Sequence, residues 1–175
     1  NEAGEENGGS PVEDEGYLCV VATEQDGYSL FDIVGETGLS YVGPGAYVVF
    51  TEVPASGALS VPAQVDGAPV VGVGISGLAV TELDTSACPT LAYLDCRGSG
   101  IASLDLAGSA LVALRADSCG SLASVDVSNC TSLLRLRVGD CYSLNSLDIS
   151  GCTQLATLSC MGLSALATLD VTDCA

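Results

Sequence analysis

The feature that most limits what this chain can fold into is a period. Apolar residues stand at Val70, Val80, Leu91, Ile101, Leu111, Leu122, Leu133, Leu144, Leu155 and Leu166, spaced by ten or eleven, and by eleven throughout from Leu111. Each opens the same phrase: apolar, two variable, apolar, one variable, mostly apolar, two variable, then often Cys. Leu122-x-x-Val125-x-Val127-x-x-Cys130 and Leu144-x-x-Leu147-x-Ile149-x-x-Cys152 are two instances. Self-similarity sustained in this way is the mark of a repeat architecture. No single unit can bury its own apolar face, so units stack.

The units alternate in character. One series reads Leu83-Asp84-Thr85, Leu104-Asp105-Leu106, Val125-Asp126-Val127, Leu147-Asp148-Ile149 and Leu169-Asp170-Val171; the other carries Gly74, Asp95, Arg115, Arg137 and Ser159 at the corresponding place. The true repeat is therefore 21 or 22 residues, with a fixed half and a variable half. The L-x-L core of each half alternates with a period of two, which predicts a short strand with its leucines inward. Parallel stacking at about 4.8 Å per turn makes five such turns a rod on the order of 24 Å long. An eleven-residue half holding a strand and two corners leaves no room for a full α-helix. The expected fold is mainly β: a flattened right-handed solenoid of about five turns over residues 70–175, with one continuous parallel sheet and room for a second.

Residues 17–69 lack the period and read as strands at 17–23, 28–34 and 45–53 broken by turn signals. Both phenylalanines and four of the six tyrosines lie here. Such a segment answers the need to cover the first turn's apolar end and open edges, so it is expected to be an N-terminal β-rich cap. Residues 1–16 are acidic and glycine-rich, the composition of a flexible linker. The opening without Met suggests that a signal peptide or lipid anchor has been removed. At the other end the repeat runs to Cys174 and Ala175 without a cap, so the expectation is either that the natural protein continues or that a neighbour masks the end, self-association being one way.

Charge narrows the partners. With 22 acidic residues against 4 basic ones the formal net charge is -18. Such a surface repels nucleic-acid phosphates and anionic lipid. No apolar run approaches the roughly 18 residues of a membrane span. Catalysis is argued against by composition: there is no His and no Trp, and all four basic residues are Arg, so the usual bases for a Ser or Cys nucleophile are missing. Carboxylate pairs can hydrolyse glycosides, but the repeat accounts for every carboxylate in the column without chemistry. No cofactor motif is present.

Three columns of residues carry what functional signal there is. Nine cysteines, an odd number, include Cys88, Cys119, Cys130, Cys141, Cys152 and Cys174 at the ninth-position corner, Cys96 and Cys160 at inward positions, and Cys19 in the cap. Their spacing follows the coil and contains no zinc knuckle; the simplest reading is a stack of buried free thiols. Asp84, Asp105, Asp126, Asp148 and Asp170 should stack on successive turns. Their repulsion is relieved either by hydrogen bonds from residues two further on or, as the alternative, by bound Ca²⁺. Finally, Arg97, Arg115, Arg135 and Arg137 all lie on the variable half of three consecutive turns. Asp95 should sit beside Arg115 and Arg97 beside Asp117, with Arg137 lacking an obvious partner. These residues are either self-neutralising cross-strand pairs or a recognition patch. The candidate ligand-binding set is Tyr93, Asp95, Arg97, Arg115, Asp117, Arg135 and Arg137.

The phrase LASVDVSNCTSL at 122–133, followed by a more variable unit such as LATLSC at 155–160, resembles the 21-residue leucine-rich repeats of bacterial surface proteins. The stretch LSVPAQVDGAPV at 59–70 is similar to the opening of BspA-type members of that group. The resemblance covers residues 57–175. One departure is that much of the family carries Asn where this chain has its corner cysteines. The resemblance implies a tethered extracellular location and adhesion to a protein or glycan, including host-derived ones. It supplies no residue-level ligand site. A structural spacer within a larger surface protein, and more remotely a β-helix carbohydrate-active enzyme, are the competing classes.

Overall fold

A computed structural model of the chain describes residues 45–65 and 67–174 in full, with the backbone of two strands at 11–14 and 17–22. The described elements are all strands: β1 (Pro11–Asp14), β2 (Tyr17–Ala22), β3 (Ala46–Phe50), β4 (Ala58–Ser60), β5 (Gln64–Val65), β6 (Ala68–Gly74), β7 (Glu82–Asp84), β8 (Tyr93–Asp95), β9 (Ser103–Asp105), β10 (Ala113–Arg115), β11 (Ser124–Asp126), β12 (Arg135–Arg137), β13 (Ser146–Asp148), β14 (Thr157–Ser159) and β15 (Thr168–Asp170). Each L-x-L phrase from Leu83 onward supplies one three-residue strand. The expected strand over 28–34 lies outside the described residues. Among the described residues no helix is long and apolar enough to cross a membrane.

The strands wind into a parallel β-solenoid. One face runs β3-β6-β8-β10-β12-β14 in parallel, extended at its outer edge by β2 and β1 in antiparallel pairing. The opposite face is the parallel run β9-β11-β13-β15, with β4 and β7 forming a separate parallel pair. Six parallel strands on the first face give about six turns rather than the five expected. The extra turn is β3 and β4, which lie in the 17–69 segment and join the parallel register. The 1–16 segment read as linker contains β1.

Alternation decides which side chains enter the core. Leu94, Leu114, Leu136 on one face and Leu104, Val125, Leu147 on the other all point inward and are buried. A fully buried side chain of this size contributes roughly 1.5–3 kcal/mol. The corners are held by backbone conformation. Three residues beyond the strand end, the chain adopts a left-handed φ at Gly77, Gly98, Ser118, Asp140 and Gly162 on one side, and at Gly108, Asn129, Gly151 and Asp173 on the other. Glycine accepts this freely, and Asn and Asp accept it better than other residues. The twist aims each such N–H along the stack: Gly98 donates to Asp117 O at 3.0 Å, Asn129 to Ser150 O at 2.7 Å and Asp140 to Met161 O at 2.8 Å. The hydrogen-bonded ladder therefore continues around the corner. At Ala87 no left-handed residue stands, and β7 is not bonded to β9.

The cysteine columns are part of this framework. The eight described side chains are free thiols, six of them buried; of Cys19 only the backbone, in β2, is described. Each corner thiol donates to a carbonyl one turn back: Cys119 to Cys96 O at 3.1 Å, Cys130 to Leu106 O at 3.1 Å, Cys141 to Ala116 O at 3.0 Å, Cys152 to Val127 O at 3.2 Å and Cys174 to Ile149 O at 3.0 Å. Burial, with Asp84 nearby, pushes the Cys88 thiol up to about 11. Burial, with Cys130 next to it, does the same for Cys152. Cys88 and Cys152 are thus neutral donors rather than reactive thiolates.

Candidate functional site

The two faces present different chemistry because their outward positions differ. On β9, β11, β13 and β15 the residues flanking each inward apolar side chain are Ser or Thr and Asp. The register stacks Asp105, Asp126, Asp148 and Asp170 directly on one another. Asp84 belongs to the same series but pairs with Ser60 across β4 and β7. Each carboxylate accepts the backbone N–H two residues on, at 2.9 Å from Ser86, Ser128, Ser150 and Thr172 and 3.4 Å from Ala107. The Ser86 hydroxyl and then its N–H hold Asp84 below the usual carboxylate range, and Thr172 does the same for Asp170. Local hydrogen bonding thus offsets the repulsion along the column. Among the described residues no group of three Cys, Asp or Glu is arranged to hold a metal ion.

On the other face the strand-end column reads Gly74, Asp95, Arg115, Arg137 and Ser159. Register places Arg115 directly across from Asp95 on one side and from Arg137 on the other. Arg97 does not reach toward Asp117. It folds back on Asp95, with Nε at 2.8 Å and Nη2 at 2.7 Å from the two carboxylate oxygens. Asp117 instead accepts the Gly139 N–H at 3.1 Å and faces Arg137 Nε at 3.4 Å. Arg137 thus has a carboxylate partner that spacing did not reveal. Gly139 makes this possible, because a Cβ there would lie 3.2 Å from Asp117 Oδ1.

Beside this column runs an open groove of about 500 Å³, lined by Arg97, Arg115, Asp117, Arg137 and Asp140 with the hydroxyl residues Ser76, Ser118 and Ser159 and, at one end, Met161. The lining comes from the strand end and the second and third positions beyond it on successive turns, so the groove follows the corner. The geometry unites four of the seven candidate residues: Arg97, Arg115, Asp117 and Arg137. Arg135 is half-buried and lies outside the lining. Asp95 is 2 % exposed and holds Arg97 from behind. Tyr93 is fully buried, in a second apolar cluster on the outer side of the sheet with Tyr47, Val71, Ala92 and Ala113. The Tyr47 and Tyr93 rings lie 6.1 Å apart.

Sequence reasoning missed Asp140, Tyr142 and the serines. Asp140 is exposed and lines the groove, and the Tyr142 hydroxyl, on a side chain that is 61 % exposed, lies 3.5 Å from it. The signal was an exposed tyrosine just past the corner in a chain poor in aromatics. A second groove, of about 490 Å³, opens on the far side beside Thr85, Ser86, Asp105, Ser109 and Thr131. It coincides with the break between β7 and β9 and holds no cation. Neither a protein-family model, nor a curated protein, nor a solved structure matches the chain.

Proposed function

We propose that this chain is a non-catalytic recognition module of the leucine-rich-repeat class, capped at its N-terminus. On this reading it is displayed outside the cell on a tether, and it binds a protein or glycan ligand along the arginine groove. One observation carries the reading. Three of the four cationic residues in a chain of net charge -18 line a single groove, while the opposite face repeats one motif. Solenoids bind through extended surfaces to which each turn adds one row of side chains, and the groove is the row that varies. Its volume falls within the range of small-ligand sites.

The test is a binding screen of the purified chain against extracellular-matrix proteins, mucins and glycans, beside an Arg137→Glu variant. Arg137 is chosen because its side chain is 41 % exposed, against 35 % for Arg97, while Arg115 is buried. A ligand that binds the parent and not the variant supports recognition on this face. A ligand insensitive to the change moves the site elsewhere, and no ligand from a folded sample removes the reading.

A further inference from the structure

On the face opposite the arginine groove the parallel ladder breaks between β7 and β9, strands of two successive turns. Most Cα pairs between these strands lie more than 8 Å apart, against about 4.8 Å across a bonded pair. The two turns still touch just before the strands, where a Cβ on Gly100 would lie 3.3 Å from Val80 O. They part from there toward the groove of about 490 Å³ beside Thr85, Ser86, Ala107 and Ser109. Leu83 reports the opening. It is only half-buried, although Leu59 on the turn before and Leu104 on the turn after are both buried.

Each lip of this slot is a strand edge. Along a parallel strand, successive residues direct their N–H and C=O to opposite neighbours. Asp84 O accepts the Val61 N–H from the turn before, at 2.9 Å, so the N–H and C=O of Leu83 point the other way, into the slot. The Leu106 N–H donates to Asp126 O on the turn after, at 2.8 Å, so those of Ser103 and Asp105 point back into it. Among the described residues no strand pairs with these groups on that side. Unpaired edges are templates for another chain, and one inserted strand needs about 9.6 Å between its neighbours, two spacings of about 4.8 Å. The outward side chains along the slot are Glu82, Asp84, Ser103 and Asp105, all exposed, so the charge it offers is negative. We propose that the slot takes one extended segment of a partner protein by strand addition. The segment bonds through its backbone to both edges. Its small apolar residues turn inward onto Leu83 and Leu104, and its Lys or Arg residues turn outward toward Glu82, Asp84 and Asp105.

The experiment uses the whole chain, amide hydrogen exchange read by NMR, and a short capped peptide that alternates lysine with valine. In the free chain the amides of Leu83 and Asp105 exchange at least about tenfold faster than those of Leu104 and Asp126, which lie within the ladder of β9 and β11. The peptide slows Leu83 and Asp105 by a similar factor. The same peptide N-methylated at every valine or at every lysine binds about tenfold or more weaker, the loss of one backbone hydrogen bond. A peptide with glutamate for lysine fails to bind, and Glu82→Lys weakens the lysine peptide severalfold. Leu83 and Asp105 amides that are already protected in the free chain overturn the proposal, because the slot is then closed. So does a folded chain whose Leu83 and Asp105 amides the lysine peptide leaves unprotected, or protection that appears only at another edge of the solenoid. Equal binding of the lysine and glutamate peptides overturns the assignment of a basic partner, with no variant required.

Discussion

Truncating the inward leucine of a strand at different points along the coil should expose a gradient in stability. Leu136 on β12 is fully buried, with a turn packed on either side, whereas Leu169 on β15 is 45 % exposed. Replacing a fully buried leucine by alanine costs about 2–5 kcal/mol, as lost transfer energy plus a cavity the neighbours do not close. At Leu169 only about half of the roughly 1.5–3 kcal/mol of burial is at stake, and water fills the space left behind. We therefore expect Leu136→Ala to cost about 3 kcal/mol and Leu169→Ala about 1 kcal/mol. Urea unfolding followed by circular dichroism reads the difference from the midpoints, provided the slopes agree. Equal costs at the two positions would refute the reasoning, because they would mean that the last turn is as thoroughly covered as the fifth. Repeating the series over a hundredfold range of concentration would then tell whether a second copy is the cover.

Three further outcomes follow from single contacts. Gly72→Ala would bring a Cβ to 2.4 Å from the Tyr47 ring; overpacking of this kind costs about 1–3 kcal/mol, read by the same urea assay. Asp140→Gly should match or exceed the parent in stability, while Asp140→Ala should lose about 1 kcal/mol, because the corner requires a φ of 56° there. Cys88 and Cys152 hold their protons up to about 11 in the folded chain, against an ordinary value of 9.0. The unfolded chain thus releases protons first, and stability falls as pH rises from 9 toward 11. Thiolate absorbance that grows at pH 10 without any loss of stability would contradict this.

How much of this was legible depended on whether a contact follows the period. Strands β7 to β15 were readable from L-x-L phrases because inward leucines recur at a fixed interval. The parallel membership of β3 and β4 was not. The inward residues Val48 and Val73 are 25 apart and Leu59 and Leu83 are 24 apart, since the chain spends residues on the short antiparallel pairing of β5 with β6. The stacked aspartates and their turn hydrogen bonds were readable for the same reason as the leucines. The arginine partners were not, because register fixes which strand ends are neighbours but not how a long side chain swings at a corner. Arg97 folds back on Asp95 two residues earlier, and Arg137 reaches Asp117 on the preceding turn. Tyr93 was misplaced because alternation marks it as outward, and on this sheet the outward side near Tyr47 is also packed.

The interval between equivalent corners has a consequence for how such a protein changes length. From Ser118 to Asp140 and from Asp140 to Gly162 the chain returns to the same backbone conformation after 22 residues. A cut at one such corner can therefore be joined to the next with every inward leucine, corner thiol and ladder bond still in frame. The 22-residue turn is a unit of exchange: loss or duplication of one leaves the fold's grammar intact and shortens or lengthens the groove by one row. Slippage that is not a whole turn, 20 to 22 residues between equivalent corners of this chain, breaks that frame. Variation in a chain of this kind is thus expected to come in whole turns, with its ligand reach altered in steps of about 5 Å.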